Sequence, residues 1–359
     1  MAFSTKRIVD LRIGPKIGVD FRKARCATEK LERFRVSAKT ETLYGDQLKP
    51  HLLLVEPMMA EIEARLDAGY QVHRLFDAAQ RDGIETARSD IRAVVTGGGT
   101  GLGNDWINRL PALGIIAVNG VGTDRIDLAY ARQRNIHVTT TQGALTDEVA
   151  DMGLALILAV LRRIVEGDRF VRSGRWQAGE PFPLGSSPRG KRLGILGLGQ
   201  IGRALGTRAE LFGMAVRYSN RTHYHDVAWP HFADAAALAA DSDVLAVCVA
   251  ATSDTRRVVD GAVLKALGPQ GALINIARGS VVDEDALVAA LRDGTIAAAG
   301  LDVFENEPAI RNDFLDLPNV VLMPHQASAT VETRRTMGNM VLASLDAYFT
   351  GKRPENTVN

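Results

Sequence analysis

Three polar residues stand directly behind apolar runs in the C-terminal half of the chain: Arg278 in NIARGSVVDEDAL, Glu307 in GLDVFENEP and His325 in VLMPHQAS. Each run reads as a strand, so each residue falls where a strand ends. In an open parallel sheet, ligands bind beyond those ends. Taken singly, each has an ordinary explanation: a surface charge, a loop acid, a turn residue after Pro324. Together at one sheet edge they form a set that can act on a carbonyl group. His325 can donate a proton to an oxygen that is gaining negative charge. Glu307 beside it would orient the ring and stabilise its charge. Arg278 can grip a carboxylate through its planar fork and polarise the neighbouring oxygen. This is the chemistry of reducing the keto group of a 2-keto acid. Backbone amides of two glycine loops, TGGGTG at 96–101 and NGVG at 119–122, are candidates to clasp the substrate carboxylate, with Gly97 and Gly98 foremost in the first.

Such a reduction needs a source of electrons, and LGILGLGQIG at 193–202 is the place to look. In a GxGxxG turn the first glycine allows a tight strand-to-helix turn and the second lets the backbone approach a pyrophosphate. The third lets the helix pack close to the strand, and the helix N-terminus faces the anion. The turn predicts a dinucleotide held by Gly197, Leu198, Gly199, Gln200, Ile201 and Gly202. Ile276 and Ala277, just before Arg278, and Asp302, placed to meet a nicotinamide carboxamide, complete the expected cofactor contacts. About 20 residues beyond the turn, an NAD site normally carries an acid for the ribose hydroxyls. Here AVRYSNRTH ends its strand at Ser219 and continues with Asn220, Arg221 and Thr222. A carboxylate would repel a 2′-phosphate, whereas an arginine suits one. NADP(H) is therefore expected ahead of NAD(H), and no metal is expected.

The elements that must position these residues come in two series. From residue 51, apolar runs at HLLLVEP, QVHRLF, IRAVVTGGG, GIIAVNGVG and IHVTTT alternate with helical patterns. From residue 193, six more follow: LGILGLG, AVRYS, DVLAVCVA, GALINIA, AAAGLDVF and NVVLMPH. Strands alternating with helices imply parallel sheets covered on both faces. The expected fold is α/β with two doubly wound domains. One is a flavodoxin-like substrate domain over 49–147 and 327–359, the other a six-stranded Rossmann cofactor domain over 148–326. A long helix is expected between them across 146–176, joining the domains and offering a face for pairing of two copies. The tail after residue 327 reads as a last helix, stopped by Gly351, that crosses back onto the first domain.

Composition narrows the partners. The 359-residue chain carries a net charge of +1, with 46% hydrophobic and 24% charged residues, so nothing points to nucleic acid or a membrane surface. The longest apolar run, MGLALILAVL, is too short to span a bilayer. Two cysteines far apart, Cys26 and Cys248, give no disulfide framework, and a reducing cytoplasm is the expected compartment. Residues 1–48, with weak periodicity and mixed charge, read as a poorly ordered arm.

From about residue 50 onward the sequence resembles the D-2-hydroxyacid dehydrogenase family. The resemblance is carried by GVGTDRIDL, LTDEVADMGLALILAVLRR, GILGLGQIGR, NIARGSVVDEDAL, AAAGLDVFENEP and VLMPHQASAT, in that order. It implies that Arg278, Glu307 and His325 are the catalytic trio and that Val121 and Gly122 clasp the substrate carboxylate. It also implies a homodimer, with the 146–176 helix and Trp176 near the seam. Within the family, the basic NRT loop resembles NADPH-preferring hydroxyphenylpyruvate, hydroxypyruvate and glyoxylate reductases. Glu307 argues against the formate dehydrogenase branch, which uses a glutamine in that role. A nucleotide-sensing, corepressor-like protein on the same fold is the alternative reading.

Overall fold

The computed structural model of the chain describes residues 49–359, and the arm expected over 1–48 lies outside them. The first sheet comprises β1 (His51–Leu54), β2 (Gln71–Arg74), β3 (Ile91–Gly97), β4 (Ile115–Asn119) and β5 (His137–Thr139), in the spatial order β2-β1-β3-β4-β5. All its pairings are parallel. Leu52, Leu53 and Leu54 are wholly buried. Parallel strands lie between two layers of helices, which is why these strands read as continuous apolar runs rather than alternating ones.

The second sheet has seven parallel strands, one more than the sequence leads one to expect. They are β6 (Arg192–Leu196), β7 (Ala215–Ser219), β8 (His231–Phe232), β9 (Val244–Val247), β10 (Ala272–Asn275), β11 (Ala298–Leu301) and β12 (Val320–Leu322). Their order is β12-β11-β10-β9-β6-β7-β8. The extra strand is two residues at the sheet edge, His231 and Phe232 pairing with Tyr218 and Ser219. It has no apolar run of its own, because an edge strand that short is held by its backbone ladder and not by burial.

The expected long helix is two helices, Thr146–Leu161 and Ile164–Arg172. Arg163 between them is left-handed, with φ 54°. The returning segment explains the break: Ser186 N–H donates to the Leu161 carbonyl at 2.7 Å, an acceptor that a continuing helix would need for itself. Arg163 then bonds Glu166 through two nitrogens at 2.8 Å, steadying the first turn of the second helix.

The final helix, Val331–Phe349, buries Val341, Leu342 and Leu345 in one cluster with Leu52, Leu54, Val95, Ile115 and Ala117 of the first sheet. It ends at Gly351, φ 75°, where Gly351 N–H reaches the Tyr348 carbonyl and Lys352 N–H that of Ala347. This is a glycine-terminated helix stop in which two orphan carbonyls are satisfied. Among the described residues no helix is long and apolar enough to cross a membrane.

Candidate active site

The C-terminal ends of both sheets open onto one cleft of about 2130 Å³, lined by Gly97, Gly98, Val121, Gly122, Ile201, Ile276, Ala277, Arg278, Asp302, Glu307 and His325. Drug-sized ligands typically occupy about 300–1,000 Å³. The space is large for a small keto acid alone and has room for a dinucleotide beside it.

His325 follows β12. Its backbone is left-handed, φ 54°, a region few residues other than glycine occupy. The loop is held there by Asp302. The Asp302 carbonyl accepts from His325 N–H at 2.8 Å, and its two carboxylate oxygens accept from Gln326 N–H at 2.8 Å and Ala327 N–H at 2.9 Å. Asp302 is almost fully buried, and burial pushes its carboxyl above the usual range although both amides pull the other way.

His325 Nδ1 lies 2.6 Å from Glu307 Oε2, and Glu307 Oε1 accepts from Phe304 N–H at 2.8 Å. Burial opposes the Glu307 charge, but His325, the Phe304 amide and Arg278 outweigh it and hold the carboxyl below its ordinary value. With Nδ1 occupied, the other ring nitrogen is free for chemistry. Arg278 follows β10. Its NH1 donates to its neighbour's carbonyl, Ala277 O, at 2.8 Å, and its Nε to Asp124 at 3.2 Å. The Asn275 side chain accepts from Ala277 N–H and donates to the Arg278 carbonyl, shaping the turn.

The glycine loops meet this trio from the first sheet. A side chain at Gly122 would collide with Arg278 NH2, and a Cβ at Gly99 would stand 3.9 Å from His325 Cε1. A Cβ at Gly98 would lie 3.2 Å from Gly122 N, so the two loops touch. The structure therefore brings Arg278, Glu307, His325, Gly97, Gly98, Val121 and Gly122 around one space.

The expected dinucleotide turn has the shape a pyrophosphate needs. Gly197 has φ 97°, and a Cβ at Gly202 would run into the Gly197 carbonyl oxygen. Gly199, by contrast, has none of the described residues within 4 Å of where its Cβ would be. It stands at the N-cap of the helix Gln200–Leu211, where no side chain among the described residues caps the free N–H groups. An open glycine before uncapped amides fits an anion. Gly197 N–H also donates to the Ser219 carbonyl at 2.9 Å, which places the end of β7 beside the turn. The only carboxylate of segment 219–226, Asp226, is bound to Arg203 at 2.8 Å. Arg221 is exposed and makes no hydrogen bond or ion pair with the described residues, while Asn220 Nδ2 donates to the Thr222 carbonyl. Cys248 also lines the cleft, its thiol pushed up to about 12 by burial, so it is a protonated, unreactive wall.

Sequence reasoning passed over two residues. Asp124, the partner of Arg278, lies in GVGTDR, where its spacing from the glycines gave a signal without a role. Glu56 follows β1 and lies against Gly97. Nothing in its local sequence separates it from a loop acid.

The comparisons span several substrates. A family described as D-isomer specific 2-hydroxyacid dehydrogenase, NAD binding domain, matches residues 154–327. The chain is 48% identical to a 2-ketogluconate reductase of Gluconobacter oxydans over 85% of this chain and 97% of that protein. It is 42% identical to a hydroxyphenylpyruvate reductase of Plectranthus scutellarioides over 84% and 96% of the two chains. An NADPH-dependent glyoxylate/hydroxypyruvate reductase of Sinorhizobium meliloti, solved with NADP and malonate, has a TM-score of 0.80 at 39% identity and covers 86% of this chain and 97% of its own. The corepressor-like alternative finds no support among these relatives. Together with the cleft and its glycine turn, they establish that the chain belongs to the D-isomer specific 2-hydroxyacid dehydrogenase family and is an enzyme with an NAD(P)-binding domain.

Proposed function

We propose that the protein reduces 2-keto acids to D-2-hydroxy acids with NADPH. The carrying observation is the 2.6 Å contact of His325 with Glu307, facing glycine loops and Arg278 across one cleft. When bound, a nicotinamide cofactor supplies a hydride for the carbonyl carbon. The chain's own residues do the rest. The substrate carboxylate sits on Arg278 and on the amides of Gly98, Val121 and Gly122. The free ring nitrogen of His325 gives its proton to the carbonyl oxygen, and Glu307 holds the ring and balances its charge. Gly197, Leu198, Gly199, Gln200, Ile201 and Gly202 would hold the pyrophosphate, with Ile276 and Ala277 along the nicotinamide side. Asp302 would use the lone pairs left by Gln326 and Ala327 for the carboxamide. Arg221, with Asn220 and Thr222, would meet the 2′-phosphate.

On this reading the substrate domain is 49–147 with 327–359, the cofactor domain is 148–326, and the enzyme works as a homodimer in the cytoplasm. Exposed Ile164, Val171 and Trp176 support the pairing of two copies through this region. The test is kcat/KM for glyoxylate and hydroxypyruvate with NADPH and with NADH. A clear NADPH preference is expected. Equal rates would overturn the cofactor choice, and absence of turnover with either cofactor on these and on larger 2-keto acids, aromatic and hydroxylated, would overturn the reductase reading. Light scattering at twice the chain mass is expected, and a monomer would overturn the dimer.

A further inference from the structure

Glu56 is a polar residue of the cleft for which the reaction, as proposed, has no use. It is half-buried and lines the same space as Arg278 and His325. Its carboxylate takes one hydrogen bond and lies against Gly97. Thr100 Oγ1 donates to Oε2, and Oε1 occupies the space that a Cβ at Gly97 would fill. The loop that holds it, Gly97–Thr100, also brings Gly99 up to His325. Among the described residues, the Thr100 hydroxyl is its one hydrogen-bond donor, and it makes no ion pair.

A carboxylate so placed excludes some substrates and suits others. It cannot face the substrate's own carboxylate, which belongs on Arg278, nor the carbonyl oxygen, which belongs on His325. What remains within reach of the loop is the part of the substrate beyond the keto carbon. An ionised carboxylate is an acceptor only, and hydroxyl groups are its natural donors. An aryl or alkyl chain there would strip its water and return nothing, which a site built for hydroxyls penalises heavily. A second carboxylate on the substrate would be repelled.

We infer that Glu56 reads hydroxyl groups on the carbons beyond the keto group, so the enzyme favours polyhydroxylated 2-keto acids, the chemistry of sugar acids, over aryl or alkyl ones. This rests on the 2-keto acid reductase reading.

The experiment compares kcat/KM for 2-ketogluconate, for 2-ketohexanoate (the same carbon skeleton without hydroxyls), for phenylpyruvate and for glyoxylate, with NADPH. The wild type is expected to favour 2-ketogluconate over 2-ketohexanoate and phenylpyruvate by at least about 100-fold. In Glu56→Leu the ratio of 2-ketogluconate to 2-ketohexanoate is expected to fall by about 10- to 150-fold, the range for hydrogen bonds to a charged group. Glu56→Gln, which keeps one acceptor oxygen, is expected to fall less. Glyoxylate turnover by the wild type with no preference for the hydroxylated six-carbon acid overturns this assignment and leaves the reductase reading intact. So does a ratio unchanged in both variants, whatever their absolute rates. Absence of turnover with all four acids overturns both.

Discussion

His325 Nδ1 and Glu307 Oε2 stand 2.6 Å apart, on a histidine whose backbone is left-handed and on a glutamate whose second oxygen is pinned by Phe304 N–H. The backbone strain and the double anchoring both serve to aim the ring's free nitrogen into the cleft. Left-handed geometry is tolerated by asparagine better than by most residues. His325→Asn is therefore the substitution that removes the acid while sparing the fold. It is expected to lower kcat by about 10²- to 10⁴-fold with the fold and NADPH binding retained. Activity within tenfold of wild type would remove His325 from the chemistry.

The same pair sets an acid limit on stability. Burial works against the Glu307 charge, but His325, the Phe304 amide and Arg278 hold its carboxyl below the ordinary value of 4.5. A folded-state value below the unfolded one means the contribution is complete above the unfolded value and fades as pH falls through the folded one. Wild type should therefore exceed Glu307→Gln in melting temperature at pH 7, and the gap should narrow below about pH 4.5. A gap that widens on acidification would show the sign to be wrong.

Gly199 and Gly202 separate binding from folding. A Cβ at Gly202 meets the Gly197 carbonyl oxygen, whereas one at Gly199 meets none of the described residues. Gly202→Val should cost about 1–3 kcal/mol of stability through overpacking, seen as a lower denaturant midpoint. Gly199→Val should leave that midpoint in place yet weaken NADPH binding, measured by fluorescence titration, because its side chain enters the pyrophosphate space. Loss of stability in the second variant without loss of binding would contradict the placement of the cofactor.

Arg221 has no partner among the described residues, so its removal tests the cofactor alone. Arg221→Ala should raise the Kd for NADPH by about 10- to 150-fold, the range for hydrogen bonds to a charged group, and change that for NADH by less than about threefold. Parallel changes in both would return Arg221 to the status of a solvated turn residue.

Much of this was legible from the chain because it depends on local pattern. The main strands are buried on both faces, so Leu52–Leu54 or Val244–Val247 announce themselves as apolar runs. The glycine turn and the three strand-end residues are short linear signals. What escaped depends on contacts between distant segments. The end of the helix at Leu161 is imposed by Ser186, 25 residues on, so the apolar pattern ran through the break. His231–Phe232 is a strand only because β7 lies beside it. Asp302 was read only as a cofactor contact, and its hold on the histidine loop through Gln326 N–H and Ala327 N–H depends on a segment 24 residues on. Glu56 and Asp124 gain their meaning from Gly97 and Arg278, which are far away in sequence and adjacent in space.

Asp124 provides the last test, because it touches Arg278 and acts only through it. Its 3.2 Å contact with Arg278 Nε turns the guanidinium so that NH2 lies against Gly122, where the substrate carboxylate is expected. Without that acceptor the arginine keeps, among the described residues, only its bond to its own neighbour's carbonyl, Ala277 O, and is free to swing. Misplacement of a gripping group by about 1 Å costs on the order of 100-fold. Asp124→Ala should therefore raise KM for the keto acid by about 10- to 100-fold, with kcat less affected and both NADPH binding and melting temperature unchanged. A merely structural role would instead lower the melting temperature and leave KM alone. A fall in KM would mean that Asp124 repels the substrate more than it aims the arginine.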